Sequence, residues 1–264
     1  MAAVRVLVLR APGTNCDEET AHAWRLAGGE PTVIHVNRLI ERPGLLEEHQ
    51  LLTIPGGFSY GDDIASGRIF ANQLRQNVGD ELARFVDRGG LVLGICNGFQ
   101  VLVSLGLIPG RKSDAPFTLT LGDRGRYEDR WVRCRVDTDA CPMLERGETM
   151  VLPVANAEGR VWSTMEEAER ARPAFQQHLA MRYVGEAGDN GAGAESSSFG
   201  MGPANPNGSI ENAAGLIDTT GRVLGLMPHP ERNVDKSQLP DWIAGGNTES
   251  DGLRIFRRGV AAFR

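Results

Sequence analysis

The chain contains no uninterrupted apolar run of about 18 residues, the length at which a helix can cross a bilayer, so no membrane span is expected. It lacks a basic opening followed by an apolar stretch. Arg5 already interrupts "MAAVRVLVLR", and no secretory leader is expected. It has no surplus of positive charge: Lys and Arg total 28 against 34 Asp and Glu, a formal net charge of -6. That balance disfavours nucleic acid as the main partner, because phosphate binding needs a basic surface. Cysteine is scarce, with Cys16, Cys96, Cys134 and Cys141 in 264 residues, and a chain of this length forms a core without disulfide staples. Internal repeats are absent. These absences describe a cytoplasmic, reduced, globular protein, read here as a single domain over residues 1–264.

Glycine is plentiful instead, 33 of 264 residues, nearly twice its usual share of about 7%, which implies many tight turns and close backbone approaches. Between the glycines the hydrophobic pattern alternates. "VRVLVL" (4–9) reads as a strand buried on both faces, and "PTVIHV" (31–36), "LLTIPGG" (51–57) and "LVLGI" (91–95) as further strands. "TNCDEETAHAWRLAGG" carries capping residues, then a stripe of Ala21, Trp24, Leu26 and Ala27, then a Gly28-Gly29 stop, and reads as a helix. "DELARFVDRGG" (80–90) and "FQVLVSLG" (99–106) read as two more. This order predicts an α/β fold with an open, mostly parallel sheet and helices on both faces. The second half is richer in strands: "FTLTL", "RWVRCRV", "TMVLPVA", "AMRYV" and "GRVLGLMPH". A helix is expected over "WSTMEEAERARPAF", and an amphipathic one closes the chain over 251–263 with Leu253, Phe256 and Val260 aligned. Residues 186–209, rich in Gly, Ser and Asn, read as a mobile loop or insertion.

The stretch "GICNG" places Cys96 between Gly94 and Gly98, after a buried strand and before an apolar helix. It has the form of a nucleophile elbow with sulfur in place of a hydroxyl. A nucleophile on so sharp a turn leaves no room for side chains two residues away, which explains both glycines. The following helix points its positive end at the sulfur, and the Asn97 N–H faces the place where an oxyanion would form. The bland alternative is a buried structural cysteine, and the paired glycines argue against it. Cys134 reads as a strand residue, Cys141 as a turn residue, and Cys16 as structural or positional, with a helix-start setting that could make it moderately acidic.

A cysteine nucleophile needs a base, and the base needs an orienting group. Of five histidines, His22 and His49 fall on exposed helix or loop positions, His35 lies inside a strand, and His178 sits near a strand start. His229 stands apart. It follows the apolar run "VLGLM", is bracketed by Pro228 and Pro230, and precedes Glu231, which an extended backbone would place on the same side. Gly57, in "IPGGFSYGDD", can turn its N–H outward as a second oxyanion donor; the plain alternative is an ordinary glycine turn.

With Gly94-x-Cys96-x-Gly98-x-Gln100 and a later His229-x-Glu231 in place, the chain resembles the triad-type, class I glutamine amidotransferases. More narrowly it resembles the glutaminase subunits of phosphoribosylformylglycinamidine synthase. "APGTNCDEE" (11–19), "PGGFSYGDDIASGRIFANQL" (55–74), "GICNGFQVL" (94–102), "NPNGS" (205–209) and "MPHPER" (227–232) carry that likeness along nearly the whole chain. The resemblance implies a flavodoxin-like fold in which Cys96 attacks the glutamine amide, His229 shuttles protons and Glu231 orients it. It further implies an oxyanion hole from Gly57 and Asn97, and Gln100 as a residue that helps hold glutamine. It implies no metal and no cofactor on this chain. Ammonia would pass to a separate synthetase subunit that uses ATP and magnesium in purine biosynthesis, often with a small third subunit. One departure is visible: Asn156-Ala157 stands where many relatives carry a His-Gly pair. Two other readings fit the scaffold, an elbow-type cysteine hydrolase or peptidase and a non-catalytic partner module. Gln100 with the Gly57 loop weighs against the first, and the intact Cys96, His229 and Glu231 against the second.

Overall fold

The charge-free interiors of the strands over 5–10, 51–54 and 91–95 suit strands with a neighbour on each side. In the computed structural model, which describes residues 3–62, 65–110, 117–166, 169, 173–185, 196–197, 200–201, 204–239 and 250–264, β1 (Arg5–Arg10) is exposed only at its two arginines. It pairs in parallel with β2 (Glu30–His35) on one side and β3 (Leu51–Ile54) on the other, and β3 pairs in parallel with β4 (Leu91–Ile95). The order β2-β1-β3-β4 reverses direction between β1 and β3. Right-handed crossovers then put α1 (Asp17–Leu26), which joins β1 to β2, on one face. They put α2 (Val36–Glu41) and α3 (Arg68–Asp87) on the other, where α4 (Asn97–Leu105) joins them.

The second half extends this sheet, first by a strand parallel to β4 and then by antiparallel neighbours, as its richness in strands suggests. β5 (Thr118–Thr120) and β8 (Arg160–Trp162) form a separate two-stranded pair. β6 (Glu128–Val136), β7 (Thr149–Asn156) and β9 (Leu179–Tyr183) belong to the main sheet, and α5 (Pro173–Gln176) precedes β9. After the short β10 (Ser196–Ser197) and β11 (Gly200–Met201) come β12 (Ala213–Ile217) and β13 (Val223–Leu226). The nine-stranded order is β2-β1-β3-β4-β13-β12-β9-β6-β7. The last helix, α6 (Asp251–Ala261), buries Leu253, Phe256 and Val260 against α1, where Phe256 meets Trp24 edge-on at 4.8 Å. The Trp24 indole N–H donates to the Thr53 hydroxyl at 2.9 Å, so α1 is tied to β3 as well.

The structure corrects several sequence expectations. The helix expected over 80–90 begins at Arg68; its first half buries Phe70, Ala71, Leu74 and Val78 at helical spacing, and a break at Val78 (φ -140) hides the continuity. β12 was missed because "AAGLI" is rich in Ala and Gly, which have little strand preference of their own. Its pairing is fixed by a turn in which the Asp218 carboxylate accepts the N–H groups of Thr220, Arg222 and Val223. The helix expected over "WSTMEEAERARPAF" fails at its start, where Val161 and Trp162 form strand β8; 167–168 and 170–172 lie outside the described residues. Most of the 186–209 segment also lies outside them. His49 is buried, with Nδ1 at 2.7 Å from the Leu45 carbonyl, so it is not the exposed residue expected. No described helix is long and apolar enough to cross a membrane.

Candidate active site

Parallel sheets keep their ligands beyond the carboxyl ends of the strands, at the point where strand order reverses. Here that edge gathers the loops after β1, β3, β4 and β13. Cys96 follows β4 with φ 50 and ψ -105, a left-handed conformation that a non-glycine residue adopts only under constraint. Two neighbours supply the constraint. The Cys96 N–H donates to the Leu226 carbonyl of β13 at 2.7 Å, and α4 starts at once with Gln100 N–H bonded to the Cys96 carbonyl at 3.1 Å. The flanking glycines are sterically required. A Cβ at Gly98 would sit 1.8 Å from the Ile54 carbonyl oxygen, and one at Gly94 would lie 2.7 Å from the Gly98 oxygen. Gly98→Ala is therefore expected to abolish activity and to destabilise the fold by about 1–3 kcal/mol, the range for forced overpacking, read as a fall in the thermal midpoint.

His229 leaves β13 in an extended conformation, and its N–H donates to the Pro153 carbonyl of β7 at 2.8 Å. Pro230–Arg232 then forms a single 3-10 turn, where the sequence suggested an extended segment. The turn still brings Glu231 back: its carboxylate oxygen lies 2.6 Å from His229 Nδ1, with both residues buried. Among the described residues Nε2 of His229, which is buried, has no hydrogen-bond partner. Burial alone would push the imidazole pKa down; the Glu231 carboxylate and the sulfurs of Cys96 and Cys16 outweigh it and hold the ring well above its ordinary value. The Cys96 sulfur lies 3.7 Å from the Ala155 carbonyl, at the end of β7.

Gly57 sits at φ 138, and its backbone pairs with Thr14 in an isolated antiparallel bridge. The bridge bonds run from Cys16 N–H to the Gly56 carbonyl and from Phe58 N–H to the Gly13 carbonyl. A side chain on Gly57 would collide with the backbone of Asn15 and Thr14 at 2.7–2.8 Å. Asn97, the first residue of α4, locks the neighbouring loop: its side chain donates to Asp62 and to Gln100 at 3.3 and 3.1 Å and accepts the Ser59 N–H at 3.4 Å. Gln100 is buried, and its amide is bonded at both ends, to Asn97 and to the Glu158 carbonyl.

Cys16 lies in the same cluster as His229. It is buried, its N–H is held by Gly56, and its sulfur lies against His229, with Arg232 Nη2 at 3.2 Å and the Asn15 side-chain oxygen at 3.2 Å. Its thiol is not acidic: burial, only partly offset by His229, pushes its pKa up to about 11. Cys16, His229 and Glu231 place their donor atoms within 4.8 Å of one another, the one such His/Cys/carboxylate group among the described residues. Asn156 is buried against Gly159, and its side-chain amide has no hydrogen-bond partner among the described residues.

Comparison with known proteins agrees with this geometry. Residues 3–263 match the family model of the CobB/CobQ-like glutamine amidotransferase domain. The chain is 41% identical to phosphoribosylformylglycinamidine synthase subunit PurQ of Dehalococcoides mccartyi, with 98% of each chain covered. It is 36% identical to the same subunit of Archaeoglobus fulgidus, over 96% of this chain and 95% of the other. Among solved structures it superposes on a chain of PurLQS from Thermotoga maritima with a TM-score of 0.73 and 28% identity, covering 100% of both. The chain belongs to the CobB/CobQ-like glutamine amidotransferases and, among them, to the PurQ subunits of phosphoribosylformylglycinamidine synthase.

Proposed function

We propose that the chain hydrolyses the side-chain amide of L-glutamine and delivers the ammonia to a separate synthetase subunit, which forms formylglycinamidine ribonucleotide in purine biosynthesis. The observation that carries this reading is the imidazole of His229, fixed at 2.6 Å by a buried Glu231 and flanked by the sulfur of the elbow residue Cys96. The Cys96 thiol passes its proton to His229 as the sulfur attacks the amide carbon. The Gly57 and Asn97 N–H groups hold the oxygen that becomes negative. His229 gives a proton to the departing nitrogen, the C–N bond breaks, and ammonia leaves a glutamyl thioester. Water then loses a proton to His229 and attacks the thioester, releasing glutamate and restoring the thiol. Glu231 keeps the ring oriented and stabilises its cation. Gln100 acts through its bonds to Asn97 and the Glu158 carbonyl, positioning the wall against which glutamine rests.

No step uses a metal or cofactor on this chain; ATP and magnesium serve the synthetase. A small third subunit completes the assembly, and the complex works in the cytoplasm. The test is glutamine-dependent amination by the chain reconstituted with its synthetase. Product formed with glutamine supports the reading. Turnover of peptides without glutamine turnover would favour the cysteine-hydrolase alternative.

A further inference from the structure

Five large apolar side chains are exposed among the described residues: Leu26, Phe58, Leu121, Tyr127 and Trp162. Leu26 lies on α1; the other four border the active site. Phe58 adjoins Gly57 in the oxyanion loop. Tyr127 lies near enough to interact electrostatically with Cys96 and His229. Trp162 ends β8 and Leu121 follows β5, in the pair that stands outside the main sheet, and both line a cleft of about 620 Å³ with Arg68, Arg160 and Glu158. Glu158 joins that cleft to the site, because its carbonyl accepts from Gln100 and its carboxylate accepts the Ser66 N–H at 3.3 Å.

Apolar side chains grouped on one face mark an interface, whereas scattered ones do not. The charges here are informative too. In a chain of net charge -6 the cleft carries two arginines, and its single carboxylate already accepts a backbone N–H. The cleft beside α5 differs: its arginines are matched within the chain, Arg135 and Arg182 to Asp137 and Arg146 to Asp139. Ammonia that escapes into water is protonated and diluted, so the acceptor must close over the rim from which it leaves.

We propose, on the basis of the function above, that the face bearing Phe58, Leu121, Tyr127 and Trp162 is the docking surface for the ammonia-accepting synthetase. The partner inserts an apolar side chain flanked by carboxylates into the cleft of Arg68 and Arg160. Leu121→Lys and Arg68→Glu, both at exposed positions, are each expected to weaken association with the synthetase at least tenfold in a titration of the purified subunits. Glutamine-dependent synthesis falls in step and recovers at high subunit concentration. Leu26→Lys, an equally exposed apolar position on α1, leaves association unchanged. Wild-type association by both Leu121→Lys and Arg68→Glu, or equal weakening by Leu26→Lys, overturns the proposal. Failure of the functional reading has a different signature: a wild-type complex that assembles but makes no product from glutamine.

Discussion

Cys96→Ala is expected to lower glutamine hydrolysis by at least about 10⁴-fold, since loss of a nucleophile removes the covalent route altogether. The fold should survive. Alanine at φ 50 meets the same backbone constraint as cysteine, the N–H bond to Leu226 is retained, and the loss is confined to the sulfur's contacts with Ala155 and His229. The reconstituted complex should still aminate its substrate when ammonia is supplied, because that chemistry belongs to the partner. Assays with glutamine and with ammonium salt on the same preparation separate the two. Equal loss in both would place the role of Cys96 in folding or docking and not in hydrolysis.

Glu231→Gln is expected to cost on the order of 10²–10⁴ in kcat, with KM little changed, as for other triad members that orient a histidine. A carboxamide N–H facing Nδ1 would favour the tautomer with its proton on Nε2, the wrong one for accepting a proton there. The pH profile should move as well, and the sign follows from the balance at His229. Burial lowers its pKa while Glu231, then Cys96 and Cys16, raise it. With the carboxylate gone, burial faces weaker opposition and the pKa falls. The cation that protonates the departing amine is then lost at lower pH, so the alkaline limb of the kcat profile shifts toward acid. An unshifted limb would mean that Glu231 does not control the ring's charge.

The elbow at Cys96 is legible in the sequence, because it leaves no space at positions 94 and 98 and the glycines record that fact. His229 and Glu231 were legible only together; their spacing survives although Pro230–Arg232 turns where an extended segment was expected. Cys16 was not legible. Its approach to His229 depends on the order β1-β3-β4-β13, which brings the loops after β1 and β13 together beside Gly56 at one sheet edge, and strand order is not written in local pattern. Gln100 was placed at the site by resemblance, but that its amide would be spent on Asn97 and Glu158 required the coordinates. β12 shows the same limit in the fold: "AAGLI" has weak strand preference, and its place between β13 and β9 is set by pairing.

The most direct test is to mix the assembled complex with isotope-labelled glutamine, quench in acid during turnover, and map the label by mass spectrometry. The account predicts a glutamyl group bound as a thioester to Cys96, absent in Cys96→Ala and accumulating when His229 is replaced by Asn, because the water that clears it is no longer activated. A glutamyl adduct on any other residue, or ammonia release at the wild-type rate from Cys96→Ala, would contradict it.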